Sequence, residues 1–310
     1  MKKKILAIIM MITVMMGQSL QVKGEIFSYS GQLTTEEKTI FDEIYKYFYI
    51  DKKTESLYLN VNNISHQYKC DILQSNYINE VKIAFSAVIN NHPELYWART
   101  VTINTSGRDT YNNEVFVKSE LEGATVQING TTPHSGKDIK KFNKAVKKAI
   151  KKINKYTGKN PSRATRIRAI NKWLCKNTKY NMKHGDSTDE KYQYLHNAYG
   201  VFVKKQAVCD GYAKALKLLC DYYKIPCMIN LGHAYNNSGQ LQKHVWNLVR
   251  VKKKWYVVDA TWNDTNHRNK WTLCGTKQIK KTHFNERERL DVLGSGYFKL
   301  PKISKKSYKK

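Results

Sequence analysis

Ala207-Val208-Cys209-Asp210-Gly211-Tyr212 runs without a break into Ala213-Lys214-Ala215-Leu216-Lys217-Leu218-Leu219. Tyr212, Leu216, Leu219 and Tyr223 recur at intervals of three and four, the spacing of one buried helical stripe, so the stretch predicts a helix that opens at Cys209. At a helix N-terminus the unpaired N–H groups and the positive end of the dipole favour thiolate over thiol, which is what a nucleophilic cysteine needs. The same N–H groups are placed to hold a developing oxyanion. Gly211, with no Cβ, admits close approach by a substrate or an opposing strand.

Downstream, His244-Val245-Trp246-Asn247-Leu248-Val249-Arg250-Val251 alternates, Lys252-Lys253-Lys254 marks a turn, and Trp255-Tyr256-Val257-Val258-Asp259-Ala260-Thr261 returns. The pattern predicts a hairpin. With Lys252 and Lys253 as a two-residue loop, Val251 pairs with Lys254, Trp246 faces Asp259 and His244 faces Thr261. His244 and Asp259 then become diagonal neighbours on one sheet face, roughly 7–8 Å apart at the backbone. A one-residue slip would put them on opposite faces.

A thiol needs an imidazole to take its proton and later return one to the leaving group, and the imidazole needs a carboxylate to fix its tautomer. Taken singly, a cysteine such as Cys209 is more often a buried packing residue and a strand histidine such as His244 more often a satisfied one. The context argues for chemistry: a cysteine that opens a helix, then a histidine and an aspartate on one face of a hairpin.

With these residues in view, Ala207-Val208-Cys209-Asp210-Gly211-Tyr212-Ala213, His244-Val245-Trp246-Asn247 and Trp255-Tyr256-Val257-Val258-Asp259-Ala260-Thr261-Trp262 resemble the three successive motifs of the transglutaminase-like superfamily, particularly its exported bacterial members. The resemblance covers about Lys137 to Pro301, including Ile167 to Tyr180 and the Asn197-Ala198-Tyr199-Gly200 approach to the cysteine. It implies Cys209 as nucleophile, His244 as general base and acid, and Asp259 as orienting carboxylate. The fold it implies is α+β: a papain-like transglutaminase core, its cysteine helix packed on an antiparallel sheet. Lysines replace the usual glycine turn between the last two motifs. Trp246 and Trp262 read as core or cleft wall; Tyr199 reads either as an oxyanion donor or as packing beneath the cysteine loop.

The chain of 310 residues, 41% hydrophobic and 12% aromatic, is long and apolar enough for two domains, which excludes a collagenous or wholly disordered protein. Lys2, Lys3 and Lys4 ahead of the apolar run Ile5–Met16 read as a signal peptide over residues 1–24, since the run is short of the ~20 residues that span a bilayer. The expected location is secreted or cell-surface associated. Residues 25–133 read as a smaller α+β N-terminal domain: a helix from Gln32 with a Thr34-Thr35-Glu36-Glu37 cap, a strand near Ser56–Ser65, a helix near Ile72–Ile89, and strands around Tyr96–Ile103 and Glu114–Ile128. The catalytic domain is expected over 134–301. It opens with a basic amphipathic helix, Lys137–Lys159, in which Ile139, Phe142, Val146, Ile150 and Ile153 form the apolar stripe among ten lysines. Residues 302–310 read as a basic surface tail with fraying ends.

A net charge of +29 exceeds what solubility requires and points to an anionic partner, either a cell-wall polymer or a membrane surface. No nucleic-acid motif accompanies it. Cys70, Cys175, Cys220, Cys227 and Cys274 are an odd number beyond Cys209, so at least one is free or none pair. No Cys-x-x-Cys or Gly-rich phosphate loop is present, so no metal and no cofactor is expected. The function these features support is an exported cysteine enzyme acting on carboxamide or peptide bonds of extracellular protein or peptide through a thioester, with amine or water as acceptor. The alternative is a non-catalytic cationic cell-wall binding protein that retains the fold.

Overall fold

Thr34 accepts from the Glu37 N–H, and the Glu37 carboxylate accepts from the Thr34 N–H, closing the capping box that starts helix α1 (Thr35–Tyr45). The computed structural model describes residues 28–50, 56–66, 70–98, 100–129, 135–235, 238–265, 269–285 and 298–309. The lysine-led apolar run expected to be a signal peptide lies outside them. Among the described residues no helix is long and apolar enough to cross a membrane.

After α1 come strand β1 (Leu57–His66), helix α2 (Cys70–Asn91), and strands β2 (Thr100–Asn112) and β3 (Val115–Asn129). The three strands form an antiparallel sheet in the order β1-β3-β2. The α2 face made by Val81, Ala84, Phe85 and Val88 is wholly buried against α1 and the sheet. Tyr96, expected at the start of a strand, instead sits in the turn before β2. Its ring packs against Phe142 and Tyr199, at centroid distances of 4.6 and 5.0 Å, and so joins this region to the rest of the chain.

Helix α3 (Gly136–Thr157) is the basic amphipathic helix, capped by the Ser135 side chain and stopped by Gly158 at φ 67°. Phe142, Ala149, Ile150 and Ile153 are buried, while all ten lysines from Lys137 to Lys159 are exposed. Helix α4 (Arg163–Asn177) follows from a Ser162 cap and buries Ile167, Ile170, Trp173 and Leu174, as its spacing predicts. A short parallel pair, β4 (Lys179–Tyr180) with β5 (Gln206–Ala207), leads into helix α5 (Cys209–Tyr222).

Strands β6 (Cys227–Tyr235), β7 (Leu241–Val251), β8 (Lys254–Val258), β9 (Thr272–Cys274) and β10 (His283–Asn285) build a five-stranded antiparallel sheet in the order β10-β6-β7-β8-β9. Two short helices, α6 (Ala260–Thr265) and α7 (Thr276–Ile279), punctuate its second half. The apolar face of α5 lies on this sheet with Tyr212, Leu216 and Leu219 fully buried.

The C-terminal residues expected to fray are docked instead. Ile303 bridges Trp255 in parallel, Ser304 N–H donates to Trp255 C=O at 2.8 Å, and Tyr308 N–H donates to Leu273 C=O at 3.0 Å. The physical reason is the edge those carbonyls would otherwise leave unpaired next to β8 and β9.

Candidate functional site

Cys209 is the first residue of α5, with Val208 in extended geometry at the cap position. Its thiol is free and half-buried. Asp210 follows it, and the Nδ1 of His196 lies 3.1 Å from both Asp210 carboxylate oxygens, while Gly211 N–H donates to Oδ1 at 3.0 Å. The close approach that Gly211 permits is to backbone: a Cβ there would run into the Leu195 carbonyl. That carbonyl also accepts the Val208 N–H at 3.0 Å, so the segment before the cysteine is pinned to residues 195–197.

The hairpin turns where the sequence predicts, with Val251 opposite Lys254. Lys252 takes φ 56°, supplying without glycine the positive dihedral that a tight hairpin needs. The expected ladder does not continue to Asp259, however. It ends at Asn247 opposite Val258, and the chain turns out of the sheet, with Asp259 N–H donating to Trp271 C=O at 2.8 Å before α6 begins. His244 therefore faces Gly232 of β6 on one side and reaches Asp259 through its side chain on the other.

His244 Nε2 lies 2.7 Å from Asp259 Oδ2, and both side chains are buried. Cys209 lies close enough to the ring for its charge to add to that of Asp259. With Nε2 engaged by the carboxylate, Nδ1 is the nitrogen left for sulfur. Asn247 sets the spacing of this arrangement: its Nδ2 donates to the Ala213 carbonyl at 3.0 Å, tying β7 to the first turn of α5. Trp262 N–H donates to Asp259 Oδ1 at 2.9 Å. Trp246 is buried and Trp262 half-exposed, and their rings lie 5.8 and 6.0 Å from that of His244, so they form its wall.

Burial alone would push His244 down, but the Asp259 charge and hydrogen bond, with Cys209 adding to them, raise it to about 10. Burial would raise Asp259, yet the charge and hydrogen bond of His244 and the hydrogen bond of His283 hold it well below the usual carboxylate range. An imidazolium–carboxylate pair is the result.

Two residues at this site carry no motif. His283, on β10, places Nε2 3.0 Å from the same Oδ2 of Asp259. Tyr180, on β4, neighbours the thiol: burial and then the Cys209 charge raise its phenol above the ordinary value. Tyr180 closes the Ile167 to Tyr180 stretch, and no motif or spacing in the sequence marks it; only its pairing with Ala207 on β5 brings it to the cysteine loop. Tyr199, which the sequence offers as an oxyanion donor, is buried between Tyr96 and Phe142, so it packs.

Among the described residues, His244, Asp259 and His283 bring ligand-type atoms within 4.8 Å of one another. Their separations of 2.7 and 3.0 Å are those of hydrogen bonds that already satisfy the carboxylate, and a metal of ~2.0–2.1 Å ligand distance would have to replace both. Cys175, Cys220, Cys227 and Cys274 are all free thiols; the Cys70 side chain lies outside the described residues.

The family model described as the transglutaminase-like superfamily matches residues 150–260, the stretch that holds Cys209, His244 and Asp259. Over residues 150–260 the chain is similar to a transglutaminase-like core. Kyphoscoliosis peptidase of Homo sapiens is 29% identical over 105 residues, 31% of this chain and 15% of that protein; the Mus musculus protein is 28% identical over the same shares. The chain thus spans about 15% of the length of the curated relatives it matches. Among solved structures, one described as a TGase is 13% identical with a TM-score of 0.36, covering 51% of this chain and 44% of that one. The periplasmic domain of TgpA from Pseudomonas aeruginosa, bound to ethylmercury, is 12% identical with a TM-score of 0.28, covering 52% and 66%.

Proposed function

We propose that the protein is an exported cysteine enzyme that cleaves carboxamide or peptide bonds of extracellular protein or peptide through a thioester on Cys209. The observation that carries this reading is His244 held on a buried carboxylate at 2.7 Å, with Cys209 opening a helix near enough to add to the charge on the ring. Cys209 Sγ adds to the carbonyl carbon, and the oxyanion is received by the N–H groups that open α5 and by the Tyr180 hydroxyl. His244 Nδ1, holding the proton taken from the thiol, passes it to the leaving nitrogen as the C–N bond breaks. An acceptor then gives its proton to Nδ1, attacks the thioester and releases the thiolate.

Water is the acceptor favoured here, because Cys209 is only half-buried. The name of the curated relatives, a peptidase, supports the same choice. Transfer to an amine is the second reading. The cationic surface of α3 and the C-terminal segment would hold the enzyme against anionic cell-wall polymer or membrane, and the lysine-led run at residues 1–24 supports export. A purely binding protein with this surface would have no use for the thiol, imidazole and carboxylate in one cleft.

Iodoacetamide labelling of the native protein, compared with Cys209→Ala and His244→Ala, tests the reading. One thiol should label at pH 6 faster than free glutathione, vanish in the first variant and slow in the second. Absence of such a thiol would favour the binding protein. Peptide cleavage measured beside incorporation of an amine donor then separates hydrolase from transferase.

A further inference from the structure

Asp259 is asked to hold more than His244. Its Oδ2 takes the Nε2 of His244 at 2.7 Å and the Nε2 of His283 at 3.0 Å, and its Oδ1 takes the Trp262 N–H at 2.9 Å. Both His283 and Asp259 have fully buried side chains. His283 arrives from the opposite edge of the sheet, on β10, where it pairs with Ala234 of β6. Its ring is boxed by Trp246 at 5.0 Å, Trp262 at 4.5 Å and Trp271 at 5.3 Å between centroids. Its centroid lies 6.0 Å from that of His244.

The proton on His283 can be placed from its neighbours. Thr282 Oγ1 lies 2.9 Å from Nδ1 and 3.1 Å from the Ile279 carbonyl, and it has one hydrogen to give. If the hydroxyl donates to Nδ1, the ring is neutral and its proton is on Nε2. If it donates to Ile279, Nδ1 must carry a proton to make the contact, and the ring is protonated at both nitrogens. In either case Nε2–H points at Asp259, the only arrangement that avoids setting a nitrogen lone pair against an ionised carboxylate.

We propose that His283 is a positioning residue for the Cys209–His244–Asp259 constellation, its Nε2–H anchoring Asp259 Oδ2 so that the carboxylate stays aligned with the His244 ring. This rests on the reading of Cys209 and His244 given above. An aspartate can rotate about its Cβ–Cγ bond; held on both oxygens from three directions, this one cannot turn without breaking bonds to α6, β7 and β10 together. Remove the His283 donor and Oδ2 keeps one partner, the His244 Nε2. His244 then loses the fixed acceptor that orients its Nδ1 toward sulfur.

The test is the rate of iodoacetamide labelling of Cys209 at pH 6 in the native protein, His283→Phe and His283→Gln. Phe keeps the planar ring among the tryptophans and loses the donor; Gln restores an N–H near the position of Nε2. Labelling should fall about ten- to hundredfold in His283→Phe, the range expected for a lost hydrogen bond to a charged group, and recover most of the way in His283→Gln. An unchanged rate in folded His283→Phe, or a loss that Gln does not recover, overturns the proposal and leaves His283 a packing residue. If His283→Phe fails to fold, Thr282→Val decides by the downfield Nε2 proton resonance of His244: a displaced signal supports the proposal, and an unmoved one overturns it. A native protein with no fast thiol sensitive to His244→Ala would fail the reading of the site itself, and the positioning role would fall with it.

Discussion

The hydroxyl of Tyr29 sits between the backbone N–H and C=O of Ile229, accepting from the first at 2.7 Å and donating to the second at 2.5 Å. Ile229 lies on β6, where among the described residues β10 pairs with 232–234 and the Tyr29 hydroxyl takes the Ile229 backbone groups. A side chain 200 residues away supplies both partners. Tyr29→Phe would leave a buried donor and a buried acceptor unsatisfied, at ~1–3 kcal/mol each. The thermal midpoint should drop by several degrees, and Cys209 labelling should change little. A melt indistinguishable from the native protein would show that water replaces the hydroxyl.

His244 ties stability to alkaline pH. Its value is raised from 6.5 to about 10, so the stabilisation it provides is complete below pH 6.5 and is lost as the pH rises through 10. The native protein should therefore lose thermal stability between pH 7 and 10.5 relative to His244→Gln, which cannot titrate. Parallel curves for the two proteins would contradict the buried ion pair. Asp259, being lowered, has the opposite dependence: its share is present above about pH 4 and declines only in strong acid.

Replacing Asp259 with Asn keeps the shape and removes the charge, and it puts an NH2 where two imidazole N–H groups and a backbone N–H seek acceptors. Turnover of any amide substrate should fall on the order of 10²–10⁴-fold. Peptide cleavage assays measure this directly; a loss under tenfold would remove Asp259 from the proposed machinery.

Tyr180→Phe separates the sulfur from the oxyanion. The hydroxyl beside Cys209 should matter when the tetrahedral intermediate forms and not when iodoacetamide is attacked. Turnover is expected to fall by on the order of 10²–10³, the effect of losing one oxyanion donor, with alkylation of Cys209 within about twofold of native. Equal slowing of both reactions would mean that Tyr180 only shapes the cysteine loop.

The exposed lysines of α3 give the surface a salt-dependent prediction. Retention on anionic wall polymer should fall steeply between ~0.05 and 0.5 M salt as the Debye length shrinks. Lys144→Glu, Lys148→Glu and Lys151→Glu combined should release the protein at lower salt without altering Cys209 labelling. Retention indifferent to salt and to these charges would reject the anionic partner.

By itself the sequence determined what short-range patterns can encode. The cysteine opens its helix because a stripe of Tyr212, Leu216 and Leu219 can be buried only from that start, and the Thr34 cap and α3 face follow from spacing in the same way. The hairpin register followed from a turn of two residues, although it could not reveal that Asp259 leaves the ladder, since that depends on Trp271 capturing its N–H. Tertiary structure alone decided which groups complete the carboxylate and the sheet edge. His283, Tyr29 and the docked C-terminal residues have no periodicity or motif to announce them. Each is placed by a backbone or carboxylate atom left unsatisfied elsewhere in the fold, and the need for a partner exists only once distant segments have packed and water has been excluded.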